Sequence, residues 1–145
     1  MPLPNGYLLD TNIVVALVRG RDLASYLDRT YSLTSGRYPS YVSVVVLGEA
    51  RSLSFQFGWS APRKAALAGT LALFTAVDIA YEDVIQAYAD IDHASAAGGV
   101  KMGKNDLWIA ATARVFDLTL LTTDHDFDYL HGVWIDREWV DPASR

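Results

Sequence analysis

The chain alternates short apolar runs with longer stretches in which apolar residues recur every three or four positions. Tyr7, Leu8 and Leu9 run straight into Asp10, and a new apolar run begins at Ile13. A run that short, bounded by polar residues, predicts a buried strand that delivers Asp10 to its carboxyl end. Pro2, Pro4 and Gly6 extend the chain up to it, and Thr11 and Asn12 begin the turn that follows. Residues 13–18 predict a short helix broken near Gly20, and Asp22 is placed to cap a second with Leu23, Tyr26 and Leu27 as its stripe. A loop over 36–39 leads to a brief strand at Tyr41 and Val42.

Beyond it, residues 43–57 predict a helix despite the strand propensity of Val44 to Val46. Val42, Val46, Glu49 and Leu53 are spaced as one helix face. Ser60 caps a helix over 61–74, with Pro62 tolerated in its first turn. Residues 75–79 predict a second core strand. Residues 82–97 form an amphipathic helix lined by Val84, Ala87, Tyr88 and Ile91, and Gly98 and Gly99 end it. A basic loop over 100–104 precedes a helix over 106–116, which Asn105 caps. Residues 118–121 predict a core strand, 126–130 a short helix and 133–135 a final strand. Strands alternating with helices imply an α/β fold with a mainly parallel sheet of four to five strands and right-handed crossovers.

At 145 residues the chain fits one domain spanning 1–145, large enough for its own core. It has no cysteine, so disulfides and thiolate metal sites are excluded. No apolar run reaches membrane-spanning length and no basic-flanked signal segment opens the chain, so the expected location is cytoplasmic, with no membrane partner. The net charge of −5 argues against holding nucleic acid by bulk positive charge. It does not argue against a nucleic-acid enzyme whose carboxylates hold cations, because a bound metal reverses the local field.

The acids therefore matter by position. Asp10 follows a strand, and in open α/β sheets ligands bind outside the carboxyl ends of strands. Asp124 also follows a strand, so the two should emerge at one edge. Turn chemistry shared with Asp126 and Asp128 is the plainer account of Asp124. Glu49 lies on an apolar stripe, where an ionised carboxylate is costly unless paired or bound to metal. An arginine partner or a place at the stripe's edge would also explain it. Asp106 shares a face with Ile109, Ala110 and Ala113, and alone is explained by its helix's macrodipole. Together, two strand-end acids and two helix acids predict one crevice. Carboxylates are hard ligands for Mg²⁺ or Mn²⁺, and without an ion the cluster would repel itself and raise some of its pKa values.

In this order and spacing, four blocks carry a resemblance: YLLDTN at 7–12, SVVVLGEA at 43–50, NDLWIAATA at 105–113 and LLTTDHDF at 120–127. The chain resembles PIN-domain ribonucleases, and within them the VapC-like toxins of toxin–antitoxin pairs. The resemblance implies a three-layer α/β/α domain and Mg²⁺- or Mn²⁺-dependent hydrolysis of RNA by an activated water, leaving a 5′-phosphate and a 3′-hydroxyl. It marks Asp10, Glu49, Asp106 and Asp124 as the family's acids. Asp10, Asp106 and Asp124 are then metal ligands, and Glu49 holds a second ion or orients the water. Asp126 could share the work of Asp124. Thr11, Asn12 and Thr122 become the supporting polar groups. It also implies a homodimer and a cognate antitoxin, to whose groove Phe57 and Trp59 are apolar enough to contribute.

Lys101 and Lys104 are candidate RNA-phosphate contacts, with loop solvation an equal reading. His125, His93 and His131 read as surface residues, and Trp59, Trp108, Trp134 and Trp139 as packing residues rather than base-stacking ones. Two other functions fit less of the sequence. An RNA-processing nuclease of the same fold would act without an antitoxin. A receiver-like Mg²⁺-binding signalling module would need paired acids after the first strand, where Asp10 stands alone.

Overall fold

The computed structural model describes residues 5–145. The extended segment expected at Pro2 and Pro4 lies outside the described residues. The elements are β1 (Tyr7–Leu9), α1 (Thr11–Arg19), α2 (Asp22–Tyr31), β2 (Ser40–Ser43), α3 (Val44–Gln56), α4 (Ala61–Leu71), β3 (Thr75–Val77), α5 (Glu82–Ala97), α6 (Lys104–Val115), β4 (Thr119–Thr122), a 3-10 turn (His125–Leu130) and β5 (Asp136–Trp139). The strands make one sheet in the order β3-β2-β1-β4-β5, and every pairing is parallel.

That order decides where a ligand can sit. The chain steps outward from β1 to β2 to β3, then returns across the sheet to β4 on the other side of β1. Right-handed crossovers therefore send the two runs of helices to opposite faces, giving the three-layer α/β/α arrangement. Helices α1 to α4 pack among themselves on one face, and α5 packs on α6 on the other. The reversal falls between β1 and β4, which opens a crevice beyond their carboxyl ends.

The middle strands are the most deeply buried. Leu8, Leu9, Leu120 and Leu121 are fully covered, each stabilising the fold by about 1.5–3 kcal/mol relative to exposure. Gly6 is required where β1 enters the sheet: at φ 156° a Cβ would lie 2.9 Å from the Pro39 carbonyl oxygen. Gly20 closes α1 in the left-handed conformation at φ 65°.

Several boundaries differ from the sequence reading. Asp22 is the first helical residue of α2 rather than its cap, which is Arg21. Gly103, not Asn105, caps α6, and this frees the Asn105 side chain. Helix α4 stops at Leu71, and Phe74 turns into the core instead. The strand at Thr75–Val77 is an edge strand with Thr75 and Ala76 exposed, because it pairs only with β2.

The final strand is Asp136–Trp139, not 133–135. The apolar run before it is a tight turn, in which the amides of Val133, Trp134 and Ile135 all converge on the Leu130 carbonyl. On α3 the buried stripe is Val46, Ala50 and Ser54, while Val42 belongs to β2. Glu49 sits beside that stripe, half-buried, rather than on it.

Candidate metal centre at the sheet's switch point

Asp10 is fixed by the ends of two strands. Its amide donates to the Leu121 carbonyl of β4 (3.0 Å), and its own carbonyl accepts from Ile13 and Val14 as α1 begins. Oδ1 accepts from the Thr11 amide at 2.8 Å, so Asp10 does cap α1. Oδ2 accepts from Thr122 Oγ1 at 2.7 Å, at the end of β4. The residue is 4 % exposed. Burial pushes its pKa up to about 6, against the lowering effect of these two hydrogen bonds, and the nearby charges of Glu49 and Asp124 raise it further.

Thr122 works in two directions. Besides donating to Asp10, its Oγ1 accepts from the Asp124 amide at 2.9 Å, tying the two strand-end acids together. Asp124 Oδ1 in turn accepts from the Asp126 amide at 3.0 Å and caps the 3-10 turn. The same turn chemistry therefore holds the Asp124 carboxylate at the end of β4.

Asp106 enters from the first turn of α6. Desolvation, followed by the charges of Asp10, Asp124, Asp126 and Glu49, raises its pKa to about 7. Ligand oxygens of Asp106, Asp124 and Asp126 lie within 4.8 Å of one another. Asp126 is raised as well, by its modest burial first and by Asp124 next. Asp10 and Glu49 stand outside this closest trio but near enough to feel its charge. Glu49 Oε2 accepts from Asn105 Nδ2 at 2.6 Å, and among the described residues no arginine pairs with it. The freed Asn105 is thus a candidate site residue missed in the sequence; its place directly before Asp106 is the available signal.

Thr11 is buried, and its hydroxyl has no hydrogen-bond partner among the described residues. Asn12 is exposed. Both line a groove of about 720 Å³ between α1, α2 and α3, together with Glu49 and Phe57. Lys101 and Lys104 are exposed at the entrance to α6. His131 is less ordinary than expected, since its Nδ1 accepts the Arg137 amide at 2.9 Å as β5 starts.

Oxygen donors at this spacing, with protons held abnormally tightly in the absence of a counter-charge, fit a small divalent cation. A PIN domain family model matches residues 7–132. The chain belongs to the PIN domain family. That membership sets aside the receiver-like reading.

Solved structures agree on the fold. VapBC2 from Rickettsia felis, bound to a DNA fragment from its promoter, has a TM-score of 0.75 at 24 % identity over 94 % of this chain and 99 % of that one. VapBC-1 from nontypeable Haemophilus influenzae has 0.74 at 20 % identity, covering 92 % of this chain and 97 % of that one. FitAcB from Neisseria gonorrhoeae has 0.70 at 24 % identity, covering 90 % and 95 %. No match was found among curated proteins. No helix of the described residues is long and apolar enough to cross a membrane.

Proposed function

We propose that this PIN domain is a divalent-metal-dependent endoribonuclease acting as the toxin of a toxin–antitoxin pair. The observation that carries the metal site is the convergence of Asp106, Asp124 and Asp126 beside a buried Asp10 with a raised pKa. Asp106, Asp124 and Asp126 would hold Mg²⁺, or Mn²⁺ in its place, with Asp10 facing the same ion. Bound there, the ion would neutralise a phosphodiester, lower the pKa of a water and stabilise the leaving oxygen.

The remaining roles fall to the chain's own groups. Thr122 holds the Asp10 carboxylate in place and keeps Asp124 in register with it. Glu49, steadied by Asn105, orients the attacking water or takes a second ion. The Thr11 amide holds the other Asp10 oxygen, and Asn12 follows it, exposed at the start of α1. Lys101 and Lys104 offer positive charge to the RNA backbone at the mouth.

RNA rather than DNA as substrate, and the antitoxin as partner, rest on the likeness to VapC-like proteins; several similar structures are VapBC complexes. The 720 Å³ groove, which reaches Glu49 and runs out to Phe57, is where we place the antitoxin. We expect a homodimer from the resemblance to VapC-like toxins. The exposed Tyr81, Ile85 and Phe116 form an apolar face that a second copy would bury.

The test is RNA cleavage by antitoxin-free protein with Mg²⁺ or Mn²⁺, beside Asp10→Asn and Asp106→Asn. Cleavage abolished in both variants and in chelator supports the mechanism. Full activity in both variants, or in chelator, sinks it.

A further inference from the structure

Beside the acid crevice lie two stacked rings that the metal chemistry does not use. His125 lies on the Trp139 indole, with ring centroids 4.3 Å apart and planes 20° from parallel. Each ring is held by its own contacts. Trp139 Nε1 donates to the Thr123 carbonyl at 2.9 Å. His125 Nδ1 is 2.8 Å from Asp128 Oδ2, and the Arg137 guanidinium lies 3.2 Å from the other Asp128 oxygen. The His125 side chain nevertheless remains 66 % exposed. With one face on Trp139 and Nδ1 engaged, that exposure belongs to the opposite face and the Nε2 edge.

His125 also lines a cavity of about 300 Å³ that it shares with Lys101, Met102, Asp106, Asp126 and Tyr129. Two of the three convergent carboxylates therefore form part of its wall. The volume is at the lower end of small-molecule clefts, about 300–1,000 Å³, which suits one nucleoside-sized group and not a duplex. Its lining alternates apolar surface with polar atoms. Met102 is buried, the Tyr129 hydroxyl is tied 2.6 Å from Ser95 Oγ, and Lys101 is exposed. A pre-fixed aromatic ring gives a base a stacking surface at little cost in side-chain freedom, and stacking accepts any base.

We propose that this cavity is a nucleobase subsite, in which an unpaired base of single-stranded RNA, next to the bond to be cut, stacks on His125. Lys101 meets the phosphate of the same nucleotide, and Trp139 fixes the orientation of the histidine ring. The proposal rests on the nuclease reading and deepens it: single-strand recognition by stacking would set which linkages reach the carboxylates.

Binding and cleavage can be read separately, with a short fluorescein-labelled single-stranded RNA of random sequence as the probe. In Ca²⁺, His125→Ala should bind about tenfold more weakly than the unmodified protein, the loss of roughly one base stack. His125→Phe should restore the affinity, and RNA whose bases are removed should bind the unmodified protein and His125→Ala alike. The subsite is overturned if His125→Ala binds as tightly as the unmodified protein, if His125→Phe rescues nothing, or if baseless RNA still separates the two. It is also overturned if His125→Ala instead loses only a partner protein, which assigns the rings to a protein interface. Binding that depends on His125 without any cleavage in Mg²⁺ would retain the subsite and remove the nuclease reading. Equal cleavage of single-stranded RNA by His125→Ala and the unmodified protein would do the reverse.

Discussion

Both ends of the sheet carry an acid-lined cavity, and they differ in what the acids do. At the amino-terminal end a cavity of about 540 Å³ is lined by Asp83, Asp90, Asp117 and Asp136. All four are exposed, and Asp90 and Asp117 accept hydrogen bonds from the neutral amides of Gln86 and Asn5. Arg114 lies among them, donating to the Trp134 carbonyl and resting on its ring. At the carboxyl-terminal end Asp10 is buried, Asp106, Asp124 and Glu49 are half-buried and Asp126 is exposed beside them, and among the described residues none of the five is in an ion pair. The number of acids is much the same, so convergence and desolvation, not count, set the candidate metal site apart from a solvated rim.

The two ends should differ most under substitution. Asp106→Asn or Asp10→Asn should lower RNA cleavage by more than about 100-fold, since even groups supporting a metal ligand are worth about 10–100-fold. Asp117→Asn and Asp136→Asn should leave cleavage within about twofold, as expected for exposed acids of small energetic weight. Comparable losses at both ends, measured in one cleavage assay, would erase the distinction.

Thr122→Val probes how the two strand-end acids are held. It removes the donor to the buried Asp10 and the acceptor for the Asp124 amide. Cleavage should fall about 10–100-fold, and stability by about 1–3 kcal/mol as Asp10 loses a buried partner. Chemical denaturation beside the cleavage assay reads both. An unchanged midpoint would mean that Asp10 does not depend on Thr122.

Acidity should separate the two ends further. Asp10 near 6 and Asp106 near 7 both lie above the ordinary 3.8, so each holds its proton more tightly in the folded chain. Their stabilising effect is full below about pH 4 and is lost as pH rises through 6 and then 7. The melting temperature of metal-free protein should therefore carry a falling component across that window, which Asp106→Asn reduces. Added Mg²⁺ should raise the melting temperature most above pH 7, where both carboxylates are free to bind it. A Mg²⁺ effect equally large at pH 5 would contradict these assignments.

The smallest effect is expected at Asn105, whose amide only steadies Glu49. Asn105→Ala should slow turnover a few-fold, at the lower end of what a supporting hydrogen bond contributes. Glu49→Gln should cost more turnover than stability. If Glu49→Gln merely unfolds the chain, Glu49 is a structural residue.

What the sequence reveals and what it hides follows from the range of the interactions involved. Asp10 and Asp124 are legible because a strand-end acid is defined by its immediate neighbours, Leu8 and Leu9 or Leu120 and Leu121. The helices of the α/β pattern are legible for the same reason. The strand β5 is not, since an edge strand of alternating charge, Asp136 to Trp139, leaves its outer side to water. The more apolar Val133 misleads; it is 75 % exposed in a turn closed by the Leu130 carbonyl. Asn105 reads as a cap until Gly103 is seen to take that place, and its contact with Glu49 spans 56 residues. The stacking of His125 on Trp139 is likewise hidden, because it joins residues that no local period connects.

A divalent ion should bind at the carboxyl-terminal switch point and not at the acid-rimmed cavity opposite. A crystal soaked in Mn²⁺ and measured at the manganese edge tests it most directly. An anomalous peak is expected among the carboxylates of Asp106, Asp124 and Asp126, near Asp10. No peak there, or a stronger one among Asp83, Asp117 and Asp136, would contradict it.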